Sequence, residues 1–398
     1  MPRRLASAAP RLTLAQPFVF IHMEKTGGTT IRLLTANQLL GQGPIYYTSH
    51  SARSGTTSRT VIMCHGMPCT DVQLAHPSML NRTACAIAFV GHFAPLPLFE
   101  TLVRIDRGEF GDVCCQRWPG LSPPRSRVRR LSAAMANALA WKAFEHALTA
   151  TVLREPLSRA MSHFYYFAYQ NTSDTWRSKP FTNLSFGEYA SAFGAPRTIG
   201  MSNGHRQLHL LSAVWGVTSS TQSQCNPLFK MPANMQSKPT QNETSRAKKV
   251  LSAFDVVGTI EHLDVLLKKL AQIMPRIPSG TALHTAKSGA TDAVSESNSS
   301  GNGTAKLNVN ERYAKKSSSG GDYARLVQAN RTQIQPQDRE ALLAELEPDM
   351  ELYMDAKLRS GPDSDDAFHI SAKLPWSANV LPTIRVVQPT STRRVLLE

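Results

Sequence analysis

No stretch of this 398-residue chain approaches the roughly 18 consecutive apolar residues of a membrane-spanning helix, so no span is expected within it. Acid is scarce as well. Only 29 Asp and Glu stand against 44 Lys and Arg, giving a formal net charge of +15 and a pI near 9.8. That balance points to an anionic partner: nucleic acid, anionic polysaccharide, anionic membrane or a phosphorylated cofactor. No RNA- or DNA-reading motif is present, so nucleic acid is not the expected partner. The usual triphosphate loop, G-x-x-x-x-G-K-[ST], is also missing. Cys64, His65 and Cys69 lie close together, but no second pair has ligand spacing. No metal site is therefore expected, and Cys64, Cys69, Cys85, Cys114, Cys115 and Cys225 are read as disulfide-bonded or free. Residues 1–16 are basic, Ala-rich and free of acid, without the apolar core of a signal peptide. The first strand follows almost at once, so the start of the chain is expected to be incomplete. No internal repeat is visible.

Hydrophobic residues make up 41% of the chain, enough for a real core. Short apolar runs alternate with helical patterns. Strands are predicted at 18–21, 60–64, 85–90, 149–153 and 254–260. Helices are predicted at 29–40, 131–148, from Pro156 to about 168, and at about 185–193, 203–213, 244–253, 261–274 and 336–358. Residues 42–59 and 104–130 read as irregular. This alternation predicts an α/β fold, a three-layer sandwich with a mostly parallel central sheet. The core is expected over 17–275, followed by a low-complexity insertion at 276–322. A helical part of the same domain covers 323–360, and an irregular tail 361–398.

The densest chemistry lies in Lys25-Thr26-Gly27-Gly28-Thr29-Thr30, between the first strand and the first helix. Two glycines let backbone N–H groups approach an anion, and the next helix offers unpaired N–H groups and the positive end of its dipole. Lys25 adds charge, and the threonines add hydroxyls. The structural alternative is a tight turn. Two further predicted strand ends matter, because open parallel sheets bind ligands at the carboxyl ends of their strands. They are Gly91-His92 and Arg154-Glu155-Pro156, with Ser162 two turns into the helix that follows. Arg154 offers a planar donor fork suited to phosphate. The alternative is that Arg154 pairs with Glu155 or caps structure and Ser162 faces solvent. Seven of fifteen asparagines (Asn81, Asn171, Asn183, Asn242, Asn298, Asn302 and Asn330) begin N-x-[ST], which points to a secretory lumen.

Together these residues resemble the 3′-phosphoadenosine 5′-phosphosulfate (PAPS)-dependent carbohydrate sulfotransferases, the heparan sulfate 6-O- and 2-O-sulfotransferase group. His22-x-x-Lys25-Thr-Gly-Gly-Thr-Thr30 looks like the family's 5′-phosphosulfate loop. Thr151-Val-Leu-Arg-Glu-Pro-Leu-Ser-Arg159, with Ser162 beyond, looks like its 3′-phosphate motif. Asn203-Gly-His-Arg-Gln-Leu208, Val257-Gly-Thr-Ile-Glu261 and Asp349-Met-Glu-Leu-Tyr-Met-Asp-Ala356 resemble later family segments. The resemblance implies a P-loop-like sulfotransferase fold and a Golgi lumen, with a membrane anchor expected of the family but no span in this chain. Lys25 and the backbone from Thr26 and Gly27 to Thr30 would hold the 5′ side of PAPS, and Arg154 and Ser162 its 3′-phosphate. Asn203 and Arg206 would contact the acceptor. His92 stands where the family carries its catalytic histidine, although Gly91-His92-Phe93-Ala94-Pro95 does not match the surrounding family sequence. His22 is a second choice, with a structural role beneath the loop.

The implied chemistry is transfer of a sulfuryl group to a glycan hydroxyl without a metal. Neutral His92 would accept the hydroxyl proton, Lys25 would stabilise charge on the leaving group, and in-line positioning would supply the rest. The acceptor would be an anionic polysaccharide, with Arg125–Arg130, Arg206 and Lys315-Lys316 as its candidate basic surface. Two competing readings are a nucleotide-dependent kinase, which the lysine-first loop order disfavours, and a non-catalytic binder of anionic polysaccharide.

Overall fold

Every residue from Phe18 to His22 is buried, as a strand covered on both faces requires. The computed structural model describes residues 12–23, 26, 31, 45–49, 61–65, 74–75, 77–91, 93–118, 130–160, 206–213, 239–273 and 336–360. Its strands are β1 (Phe18–His22), β2 (Ile45–Ser49), β3 (Val61–His65), β4 (Ala88–Gly91), β5 (Leu148–Leu153) and β6 (Val256–Thr259). They form one sheet in the order β3-β2-β4-β1-β5-β6, and every pairing is parallel. Its helices are α1 (Pro77–Cys85), α2 (Pro95–Asp106), α3 (Ala133–His146), α4 (Arg206–Ser212), α5 (Gln241–Ser252), α6 (Leu263–Ile273), α7 (Pro336–Glu345) and α8 (Glu347–Ser360). The protein is thus an α/β fold, as the alternation predicts.

Strand alternation divides the core. Val19 and Ile21 of β1 point to one face, where they join Phe89, Phe99, Phe144 and residues of α2, α3, α4, α5 and α8. Phe18 and Phe20 point to the other, packing with Val90, Ala150, Val152, Val256 and with Leu266 and Leu270 of α6. At Gly258 the helix comes so close that an added Cβ would lie 2.8 Å from Leu266 Cβ.

Several local expectations need correction. Residues 42–59 are not all loop: β2 lies within them and pairs with β3 and β4. The run 85–90 is not one strand, because Cys85 ends α1 and β4 starts at Ala88. Residues 104–106 belong to α2, which is buried along its whole length. Its apolar residues Leu98, Phe99, Leu102 and Val103 do recur at helical spacing. Pro95 and Pro97 occupy its first turn, where a missing N–H costs nothing. Its charges are paired inside: Arg104 bridges Glu100 and Glu109, each at 2.8 Å. The single helix predicted at 336–358 breaks at Leu346, since Pro348 cannot donate to a carbonyl four residues back.

Part of the irregular 104–130 segment is core. Trp118 is fully buried, and the buried Arg117 guanidinium donates to the carbonyls of Leu14, Thr83, Ala84 and Ala86. Burial lowers its pKa to about 10, with the Asp106 carboxylate opposing the shift, so it stays a cation at neutral pH. Trp118 donates its indole N–H to Ala15 O at 3.0 Å. Residues 14 and 15 are thereby fastened to the sheet's amino end.

Candidate functional site

Three of the predicted strand ends lie side by side. Ile21 registers with Gly91 on β4 and with Thr151 on β5, and His22 registers with Val152. Adjacent strands are about 4.8 Å apart, so the chains leaving β1 and β5 begin as close neighbours. They also diverge. The connection from β1 runs past β4 to β2, whereas that from β5 runs the other way to β6. A crevice between diverging connections at carboxyl ends is where open α/β sheets take ligands.

Each rim of this crevice is built by local bonds. After β1, the buried Thr26 hydroxyl donates to Met23 O at 2.8 Å and closes a tight turn. Its proton is committed within the loop, so the Thr26 side chain shapes the turn rather than offering that proton outward. Beneath it the Thr151 hydroxyl donates to Ile21 O at 3.1 Å, tying β5 to β1. His22 is buried at the end of β1.

After β5 the chain turns at Arg154, which is half-buried. The next residue caps the following helical turn: Glu155 accepts from the backbone N–H groups of Leu157 at 3.0 Å and Ser158 at 2.6 Å. A carboxylate thus already occupies that helix end. The Arg154 backbone is clamped. Its N–H donates to Gln207 Oε1 at 3.0 Å, and its carbonyl accepts from Gln207 Nε2 at 2.9 Å. Gln207 is buried in the first turn of α4. That helix is held in turn by buried Asp349 of α8, whose Oδ1 accepts from Leu208 N at 3.3 Å. Beyond β6, Glu261 accepts from the Tyr353 hydroxyl. Burial first, then the Glu261 and Glu155 charges, push the Tyr353 pKa up.

Of the predicted site residues, Thr26 and Arg154 are described with their side chains, and they fall on adjacent strand exits. Arg206 opens α4, one residue before the clamp. Lys25, Gly27, Gly28, Thr29, Thr30, His92, Ser162 and Asn203 lie outside the described residues; Gly91 and Phe93, either side of His92, are both buried. Sequence reasoning singled out Arg206 and Asn203 but gave no role to Gln207 or Asp349. Their only sequence signal is that they stand inside the Asn203–Leu208 and Asp349–Ala356 stretches.

Comparison with family models, curated proteins and solved structures gave no match. Among the described residues, the one group with metal-ligating atoms in close proximity is Cys85, Cys114 and Cys115. Cys85 lies just before β4, at the other end of that strand from the crevice.

Proposed function

We propose that this chain is a PAPS-dependent sulfotransferase that moves a sulfuryl group to a hydroxyl of a glycan, an anionic polysaccharide. One observation carries the reading. The glycine-containing loop after β1 and Arg154 after β5 are more than 120 residues apart in sequence, yet their strands are neighbours at a switch point of the sheet. A ligand with phosphates at both ends of a ribose needs two cationic positions on one rim, and neighbouring strand exits followed in sequence by Lys25 and Arg154 suit that need. The clamped Arg154 backbone fits a rigid anion-binding position. The specific P-loop-like sulfotransferase fold and the Golgi lumen belong to the same proposal.

In this reading PAPS supplies the transferable sulfuryl group. The chain's residues bind and orient it: Arg154 and Ser162 at the 3′-phosphate, Lys25 and the backbone from Thr26 to Thr30 on the 5′ side. His92 accepts the proton of the acceptor hydroxyl, and Asn203 and Arg206 contact the glycan. The net charge of +15 favours an acceptor that is already anionic. A thermal-shift comparison of 3′-phosphoadenosine 5′-phosphate with ATP and ADP tests the proposal. Selective stabilisation by the bisphosphate is expected. Preference for ATP would replace the reading with a kinase, and no shift from any nucleotide would replace it with a non-catalytic polysaccharide binder.

A further inference from the structure

We propose that Cys85, Cys114 and Cys115 form a thiol–disulfide exchange site in which Cys85 pairs with either of two adjacent cysteines. Cys85 is bonded to Cys115, with their Cα atoms 5.2 Å apart. Cys114 is free and exposed. Its sulfur lies 3.1 Å from Cys85 Sγ and 3.8 Å from Cys115 Sγ, so a third sulfur is already in contact with the bond.

The backbone around the trio is held from all sides. Cys114 N–H donates to Asn81 Oδ1 of α1 at 3.0 Å. Two and three residues after Cys115, Arg117 and Trp118 are locked into the core, and Ala86 O, next to Cys85, accepts from Arg117 at 2.6 Å. With the main chain fixed, changing partner needs only side-chain rotation. In the exchange the Cys114 thiolate attacks Cys85 Sγ. The Cys85–Cys114 bond forms as Cys85–Cys115 breaks, and Cys115 leaves as a thiolate that takes up the proton Cys114 released. One disulfide exists before and after, so no oxidant or reductant is consumed.

The two isomers present different surfaces. Cys114 is exposed, whereas Cys115 is half-buried and packs with Leu80, Ala84 and Ile105. Exchange therefore moves the one free thiol of the trio from a reactive surface position to a shielded apolar one. Thiols react according to exposure and thiolate character, so the first isomer accepts modification by a small disulfide and the second resists it.

Disulfide mapping of the full chain tests this. Purified wild type, Cys114→Ser, Cys115→Ser and Cys85→Ser are alkylated with N-ethylmaleimide and digested. Fragmentation between residues 114 and 115 then assigns the bonded sulfur. The proposal requires a Cys85–Cys114 bond in Cys115→Ser, melting within a few degrees of Cys114→Ser. It also requires both isomers in the wild type after incubation without reductant. Alkylation of both Cys85 and Cys114 in Cys115→Ser overturns it, and so does a wild type locked as Cys85–Cys115. One equivalent of zinc held by the isolated chain, with Cys85 unbonded throughout, overturns it in favour of a metal site.

Discussion

Gln207 offers the sharpest test of how the scaffold sets the proposed cofactor site. Replacing it by Met keeps a long unbranched side chain of similar volume but removes both hydrogen bonds to the Arg154 backbone, at 3.0 and 2.9 Å. A neutral hydrogen bond contributes about 0.5–1.5 kcal/mol net, so two give about 1–3 kcal/mol of folding stability. Arg154 is half-buried, so water rehydrates part of what is released, which places the expected loss in the lower half of that range. The functional effect is selective. A guanidinium that drifts from a phosphate forfeits a charge-assisted bond of about 1.5–3 kcal/mol, roughly a tenfold to hundredfold change in affinity. Calorimetry should show 3′-phosphoadenosine 5′-phosphate weakened by about that factor in Gln207→Met, with adenosine 5′-phosphate nearly unaffected. Wild-type affinity for the bisphosphate in Gln207→Met, with urea stability also unchanged, would refute the clamp. A wild type that ignores the bisphosphate refutes the sulfotransferase reading instead, while the stability loss still tests the clamp.

Gly258→Ala forces a Cβ to 2.8 Å from Leu266 Cβ, an atom that cannot swing away, so α6 must shift. The expected cost is about 1–3 kcal/mol, and an unchanged urea midpoint would show that the helix has slack. Thr240 and Glu243 form a capping box at the start of α5, and Thr240→Ala should cost about 0.5–2 kcal/mol. Burial alone would raise the Glu243 pKa, but bonds from Thr240, helped by His209 and Arg246, hold it below its ordinary 4.5. The carboxylate's contribution is therefore present above 4.5 and is lost as pH falls through the lower folded value. The stability gap between wild type and Thr240→Ala should shrink under acid; a constant gap across a pH series of denaturant melts would contradict this. For the proposed chemistry, Lys25→Ala should abolish PAPS-dependent transfer, and His92→Ala should keep bisphosphate binding while losing turnover. Transfer by Lys25→Ala at the wild-type rate would remove the loop from the site.

The strands β1, β5 and β6 were legible as short apolar or β-branched runs, such as Phe18-Val-Phe-Ile21 and Thr149–Leu153, and β4 in its position but not its start. Of the glycine loop after β1, only Thr26 lies among the described residues, so Gly27 and Gly28 stand as a sequence reading. Helix α2 was not legible, although its apolar residues recur at helical spacing: it opens on Pro95 and Pro97 and runs into the stretch 104–130 that reads as irregular. Neither was β2, a five-residue strand inside a polar stretch whose place is set by pairing with β3 and β4. At the site, sequence alone determined which residue types could meet a phosphate: lysine and glycines at one strand exit, an arginine at another. Only the tertiary structure decided that those exits adjoin, because strand order follows from burying both sheet faces at once and leaves no mark on local sequence. The same holds for Gln207, 53 residues from the arginine it grips, and for Asp349, 141 residues from the helix turn it steadies. An amide or a carboxylate is read locally as a surface residue, and becomes a structural one only when the fold buries it against a backbone that needs its bonds.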